Sequence, residues 1–209
     1  IICEIGGGFG SFSSVILNNY KNLKLLLIDL PEANLMSSYY LSTLFPNKKF
    51  FLFDDYIKCD NFDNRIFKEY DYVILPPICL EKFNKLGVDL FLNTSSMMEM
   101  KPKIINNYFK FIESNINLNG FFLNINRYEK STQNIPIRIS EYPYDKNWKV
   151  ISSYQLKENK NIHLLLTQRS HKENHQDILQ ELKKIDNFGK QFYKYALKKS
   201  LDYKLKLIY

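Results

Sequence analysis

The stretch Glu4-Ile5-Gly6-Gly7-Gly8-Phe9-Gly10-Ser11-Phe12 restricts the fold more than any other part of the chain. Its glycines follow directly on "IICEI", which reads as a short buried strand, and precede a helical pattern from about Ser11 to Tyr20. A strand, a glycine loop and a helix in that order leave unpaired N–H groups at the helix start and let a ligand come close to the backbone. The dinucleotide fingerprint GxGxxG would require glycine at 6, 8 and 11, but position 11 is Ser11. The chain instead carries an acid followed by Gly6-x-Gly8-x-Gly10. Two readings compete: a packing turn between strand and helix, or a loop shaped for a ligand.

The second strand-like run, "LKLLLIDLP", bears on this choice because it ends in Asp29, 23 residues after Gly6. In an open parallel sheet, a carboxylate at that strand end accepts hydrogen bonds from ribose hydroxyls. Loop and carboxylate together point to an adenosine-containing ligand; the alternative is a packing turn plus a helix-capping aspartate.

Beyond Asp29, apolar runs alternate with helical patterns, the mark of an α/β fold with a mainly parallel sheet. A helix is expected from about Glu32 to Phe45. "KKFFLFDDY", "YDYVILPP" and "VDLFLN" read as strands, the last followed by the turn-rich "TSSMMEMKP". Ile105, Phe109, Ile112 and Ile116 form one apolar stripe on a helix from about Pro102 to Asn117. "GFFLNINRY" is a further strand, and "WKVISSYQL" and "NIHLLLTQ" form an antiparallel hairpin. The expected division is a domain over residues 1–170 and a charged helical extension over 171–209.

Composition narrows the function. The net charge is +7, but the lysines are spread along the chain rather than gathered on one face, which argues against a nucleic-acid partner. The basic C-terminal stretch reads as the solvated face of an amphipathic helix. Three scattered cysteines without a CxxC pair suit a reducing, cytoplasmic compartment rather than a disulfide scaffold or a zinc site. No apolar run is long enough for a membrane span. The chain opens without Met, inside what reads as a buried strand, so upstream sequence is expected to be missing.

The E-x-G-x-G-x-G loop and the acid at the second strand's end resemble class I S-adenosylmethionine-dependent methyltransferases. More narrowly, "EIGGGFGSF", "LLIDLPE", "YYLSTLFP", "DLFLNTSSMMEM", Tyr108-Phe109 and "FFLNINR" resemble the bacterial sugar O-methyltransferases, over about residues 3 to 150. The resemblance implies a Rossmann-like, seven-stranded sheet in the order 3-2-1-4-5-7-6. S-adenosyl-L-methionine would be the cofactor, lying across the ends of strands 1, 2 and 4. A sugar or nucleotide sugar would be the small-molecule acceptor, and the protein could form a homo-oligomer.

It also implies site residues. Glu4 would hold the donor's amino-acid end, indirectly or through the loop, with Gly6, Gly8 and Gly10 under the methionine and ribose. Asp29 would take the ribose hydroxyls, and Leu30 would lie beside the adenine. If "YDYVILPP" is strand 3, as preferred, Pro76, Pro77 and Ile78 approach the adenine; if "KKFFLFDDY" is, Asp54 and Asp55 do. Asn93 and Thr94, just after strand 4, would face the donor, Asn93 shaping its pocket or binding the acceptor.

A sugar hydroxyl is a poor nucleophile and gains from a general base. Glu99 is the candidate, although Ser96-x-x-Glu99 also matches a capping box. Pro102 favours a helix start that leaves Glu99 on the loop before it. Arg127, whose fork suits paired oxygens, could bind the acceptor or form a surface ion pair. His163 reads as structural. His171 and His175 have i, i+4 spacing without an HExxH pattern, so no metal site is expected. The alternatives to a sugar methyltransferase are a phenolic or other small-molecule O-methyltransferase and a non-catalytic adenosine-ligand module.

Overall fold

A computed structural model of the chain describes residues 1–59, 62–83, 85–132, 134–171 and 175–206, with side chains in the last helix over 177–197. Strand β1 (Ile2–Ile5) is buried throughout and passes through the glycine loop into α1 (Ser11–Asn19). β2 (Leu25–Ile28) leads into α2 (Pro31–Leu44), whose first-turn proline has no N–H to leave unpaired. β3 (Phe50–Phe51), α3 (Phe53–Tyr56), α4 (Ile66–Glu69) and β4 (Tyr72–Leu75) follow. β5 (Val88–Thr94) precedes α5 (Pro102–Asn115), which runs directly into β6 (Ile116–Arg127). The short strands β7 (Glu129–Thr132) and β8 (Ile135–Arg138), the hairpin β9 (Trp148–Gln155) and β10 (Ile162–Arg169), and α6 (His175–Lys206) come last.

Eight strands form one sheet in the order β3-β4-β2-β1-β5-β6-β10-β9, and β7 and β8 pair separately. Neighbours from β3 to β6 are parallel, whereas β10 runs antiparallel to both β6 and β9. The seven-stranded expectation is corrected by one strand, because both apolar runs between 49 and 77 enter the sheet. Tyr72–Leu75 takes the place beside β2, and Phe50–Phe51 adds a two-residue edge outside it. The rest of "KKFFLFDDY" turns into α3 instead of extending the strand. The Asp55 carboxylate accepts the Leu52 N–H at 3.0 Å, capping a short helix that buries Tyr56. The β7–β8 hairpin was not anticipated.

Successive residues of β2 face opposite layers. Leu26 and Ile28 join the larger core, which also takes in Ile105 and Ile112 of α5 and Ile178 and Leu182 of α6. Leu25 and Leu27 pack with Leu17 of α1 and Leu41 of α2. A strand covered on both faces reads as continuously apolar for this reason. On α5, Ile105, Phe109 and Ile112 are buried as their spacing predicts, joined by Tyr108 and Phe111. Among the described residues no helix is long and apolar enough to cross a membrane.

Candidate active site

The sheet registers bring the C-terminal ends of four strands into one row: Ile5 pairs with both Ile28 and Asn93, and Ile28 pairs with Leu75. The chain winds outward from β1 through β2 and β4 on one side, and through β5 and β6 on the other. Ligands of open parallel sheets bind outside the strand ends where the winding reverses. A cleft of about 1020 Å³ opens there, lined by Gly6, Asp29, Leu30, Pro77, Ile78, Ser96 and Glu99, with Ile104, Tyr108 and Lys110 of α5 on the far wall.

The glycines of the loop serve different purposes. At Gly6, φ is +76° and a Cβ would collide with the Ser96 side chain. Gly10, at φ +87°, caps α1 and lies so near Leu41 that a Cβ would come within 3.1 Å of it, which sets the approach of the loop to α2. Gly8 is different. Its φ is +56°, yet a Cβ there would meet nothing within 4 Å. Packing explains Gly6 and Gly10; at Gly8 only the backbone angle, or something absent from the chain, calls for glycine.

Asp29 ties loop and strand together. Its Oδ2 accepts the Gly8 N–H at 2.6 Å and its Oδ1 accepts the Leu30 N–H at 2.7 Å. Each oxygen keeps lone-pair capacity for a hydroxyl donor. Leu30 is 63 % exposed and Ile78 79 % exposed, so two large aliphatic side chains flank the cleft largely uncovered. Glu4 is buried beneath the loop, where its carboxylate accepts the Ser13 hydroxyl. Burial pushes its carboxyl pKa upward, the Ser13 hydrogen bond opposes this, and the nearby Asp29 charge adds to the rise. Glu4 is therefore not among the residues that line the cleft; it lies under the loop that borders it.

The segment after β5 is held by a buried amide network. Asn93, completely buried, donates from Nδ2 to the Ile5 carbonyl at 2.8 Å and to Ser96 Oγ at 2.6 Å. Its Oδ1 accepts the Met97 N–H at 3.2 Å and Asn126 Nδ2 at 2.8 Å. Asn126 also accepts the Met98 N–H at 3.3 Å and donates to Asn124. Every polar atom of Asn93 is thereby engaged within the protein, so this side chain orders the segment and does not face the cleft. Thr94, half-buried opposite Ile125, is not among the cleft-lining residues either.

Glu99 ends a single 3₁₀ turn, Met97–Glu99, and α5 begins at Pro102, which leaves Glu99 outside that helix. The capping-box arrangement does not form, because Ser96 Oγ donates to the Ile5 carbonyl at 3.1 Å instead. The Glu99 carboxylate lines the cleft and pairs with Lys130 of β7. The Thr132 hydroxyl reaches the Met98 carbonyl at 3.1 Å, so the unanticipated hairpin braces the same segment.

Two predicted site positions, Pro76 and Arg127, do not line the main cleft. Pro76 lines a second cleft of about 360 Å³ with Pro31, Leu35, Phe53 and Asp54; Pro77 lines the main one, and Ile78 lines both. Arg127 is exposed at the end of β6, where its charge acts on Tyr193 of α6. Strand alternation is the reason: Asn124 and Asn126 turn inward, so residue 127 turns the other way. His163 is buried between the Tyr128 hydroxyl at 3.2 Å and the Ser153 hydroxyl at 2.7 Å, and burial pushes its pKa down to about 4. The side chain of His175 lies outside the described residues, so its pairing with His171 does too. Among the described residues no three His, Cys, Asp or Glu side chains gather to hold a metal ion.

From the sequence, Tyr108 and Asn126 stood only within motifs of the resemblance, with no role of their own, and Lys130 did not stand out at all. Asn126 carried a signal: with Asn124 it places two amides at period 2 on one face of an otherwise apolar strand. Lys130 carried none, because nothing local brings β7 to the post-β5 segment.

Neither a protein-family model nor any curated protein matches the sequence. Solved structures do match in fold. The mitomycin 7-O-methyltransferase MmcR superposes with a TM-score of 0.54 at 15% identity, over 81% of this chain and 48% of that one. The S-adenosylmethionine-dependent methyltransferase SibL gives 0.51 at 12%, over 81% and 50%. The protein PH0226 from Pyrococcus horikoshii OT3 gives 0.52 at 10%, over 81% of each chain. This chain thus spans about half the length of the first two, and it has the Rossmann-like class I methyltransferase fold.

Proposed function

We propose that the protein is an S-adenosylmethionine-dependent O-methyltransferase acting on a hydroxyl of a sugar or nucleotide sugar. The observation that carries this reading is the Asp29 carboxylate, which lines the cleft and holds the N–H of the uncrowded Gly8, at the point where the sheet's winding reverses. The residues fit the cofactor. Asp29 can accept two ribose hydroxyls, uncovered Leu30 and Ile78 offer apolar faces to an adenine, and Gly8 leaves room for a ligand against backbone. When bound, S-adenosylmethionine supplies an electrophilic methyl group. Residues 1–170 would make the cofactor-binding domain and 171–209 its helical extension, in a cytoplasmic protein.

On the acceptor side, the chain's contribution is positioning and proton removal. Glu99 takes the acceptor hydroxyl's proton, and Lys130 orients the carboxylate. The amide network of Asn93 and Asn126 fixes the segment from which Glu99 projects. Arg127 has no part in this reading, since it points away from the cleft.

The sugar acceptor rests on the resemblance of "DLFLNTSSMMEM" and "FFLNINR" to the sugar O-methyltransferases. A small-molecule acceptor such as a phenol is favoured by a different observation, the fold shared with an enzyme named for methylating mitomycin. Calorimetry tests the donor: S-adenosylhomocysteine should bind and NAD should not, and the reverse order would sink the proposal. Radiolabelled methyl donor offered with nucleotide sugars and with phenols then separates the two acceptors. Turnover should survive a chelator.

A further inference from the structure

We infer that Tyr108 is a second ribose-binding residue of the cleft, its hydroxyl donating to ribose oxygens whose own protons go to Asp29. This rests on the reading of the cleft as an S-adenosylmethionine site. Tyr108 is only 4 % exposed, its ring lying in the large core with Ile105 and Ile112, yet it lines the cleft together with Gly6 and Asp29. Its hydroxyl has no hydrogen-bond partner among the described residues, although buried phenols ordinarily find one. The hydroxyls of Tyr56 and Tyr193 reach carbonyls, and those of Tyr142 and Tyr144 are unpartnered but sealed in the core away from this cleft. Tyr108 alone of these combines deep burial, an unmet hydroxyl and a place on the cleft wall.

The chemistry is complementary. A ribose hydroxyl has one proton and two lone pairs, whereas an ionised carboxylate only accepts. Each hydroxyl that donates to Asp29 can still accept a hydrogen bond, and the donors that pin the loop beside Asp29 are committed. The Gly8 and Leu30 N–H groups are on Asp29 itself, and the Ser96 hydroxyl is on the Ile5 carbonyl. Tyr108 fills the gap. Burial, reinforced by the Asp29 charge, holds its phenol far above its ordinary pKa, so the proton it would donate is present at any working pH.

The test is calorimetry on the whole chain, wild type and Tyr108→Phe, with S-adenosylhomocysteine and its 2′,3′-dideoxyribose analogue. Loss of one neutral hydrogen bond should weaken S-adenosylhomocysteine roughly 5- to 10-fold in Tyr108→Phe, with the melting temperature unchanged. Affinity for the dideoxy analogue should stay within about twofold of wild type, since the hydroxyls that Tyr108 serves are gone. Equal affinity of both proteins for S-adenosylhomocysteine would overturn the role of Tyr108 and leave the methyltransferase reading intact. An equal loss for both ligands would also overturn it, by showing that the ring only packs. Failure of the wild type to bind S-adenosylhomocysteine at all would overturn the methyltransferase reading and this inference with it.

Discussion

Gly6 and Gly8, two positions apart and both with positive φ, call for opposite outcomes on substitution. Gly6→Ala drives a methyl group into Ser96 and disturbs the bonds that Ser96 makes with Asn93 and Ile5, so thermal unfolding should move several degrees downward. Gly8→Ala meets no atom and should cost only about 1–2 kcal/mol, the strain of a left-handed alanine. Affinity for S-adenosylhomocysteine should nevertheless fall at least roughly tenfold, because the methyl group occupies the space where backbone meets ligand. Normal binding by Gly8→Ala would mean that the loop does not touch the ligand. For Glu99, the partner Lys130 is partly exposed and the carboxylate more than half exposed, so Glu99→Gln should lose less than about 1 kcal/mol of stability. Once an acceptor is in hand, turnover should drop roughly 10²-fold, the usual contribution of a positioned base. Unchanged turnover would remove Glu99 from the chemistry.

At the scale of elements, the post-β5 segment depends on β6 and the β7–β8 hairpin more than on itself. Ser95 sits at φ +63°, and the N–H groups of Met97 and Met98 are satisfied by amides of two neighbouring strands. Asn126→Leu leaves the Met98 N–H and part of Asn93 unpaired in a buried place, which should cost about 2–4 kcal/mol. Combined with Asn93→Leu, the two losses should fall short of their sum by about 1 kcal/mol or more, measured as a double-mutant cycle in urea. Strict additivity would mean that the amides act separately. The network also gives the "NTSSMMEM" and "NINR" segments one shared physical cause: buried amides that shape a cleft wall without entering it.

Across the whole molecule, His163 sets an acid limit far from the cleft. Its folded pKa of about 4 lies below the ordinary value, so between roughly 6.5 and 4 the unfolded chain binds the extra proton. The stability from burying neutral His163 is complete above about pH 6.5 and is lost as pH falls toward 4. Glu4 and Glu113, whose burial raises their pKa values, act with the opposite sign. The informative measurement is therefore the difference between wild type and His163→Gln. Chemical denaturation from pH 7 to 4 should show a shallower loss in the variant, and parallel curves would place the acid sensitivity elsewhere.

What the sequence determined by itself was local or periodic. The two-sided burial of β2 and β4 follows from unbroken apolar runs, and α5 follows from a stripe of Ile105, Phe109 and Ile112. The loop at Gly6 to Gly10 and the carboxylate at Asp29 were legible because a strand–loop–helix unit fixes where unpaired N–H groups and strand-end side chains must lie. Only the tertiary structure decided which way Arg127 turns, that Asn93 is spent inside the protein, that Lys130 meets Glu99 from a separate hairpin, and that Tyr108 lines the same cleft as Asp29. Each of these depends on a partner brought near by long-range strand register, and a one-residue slip in β6 would exchange the inward amides for Arg127.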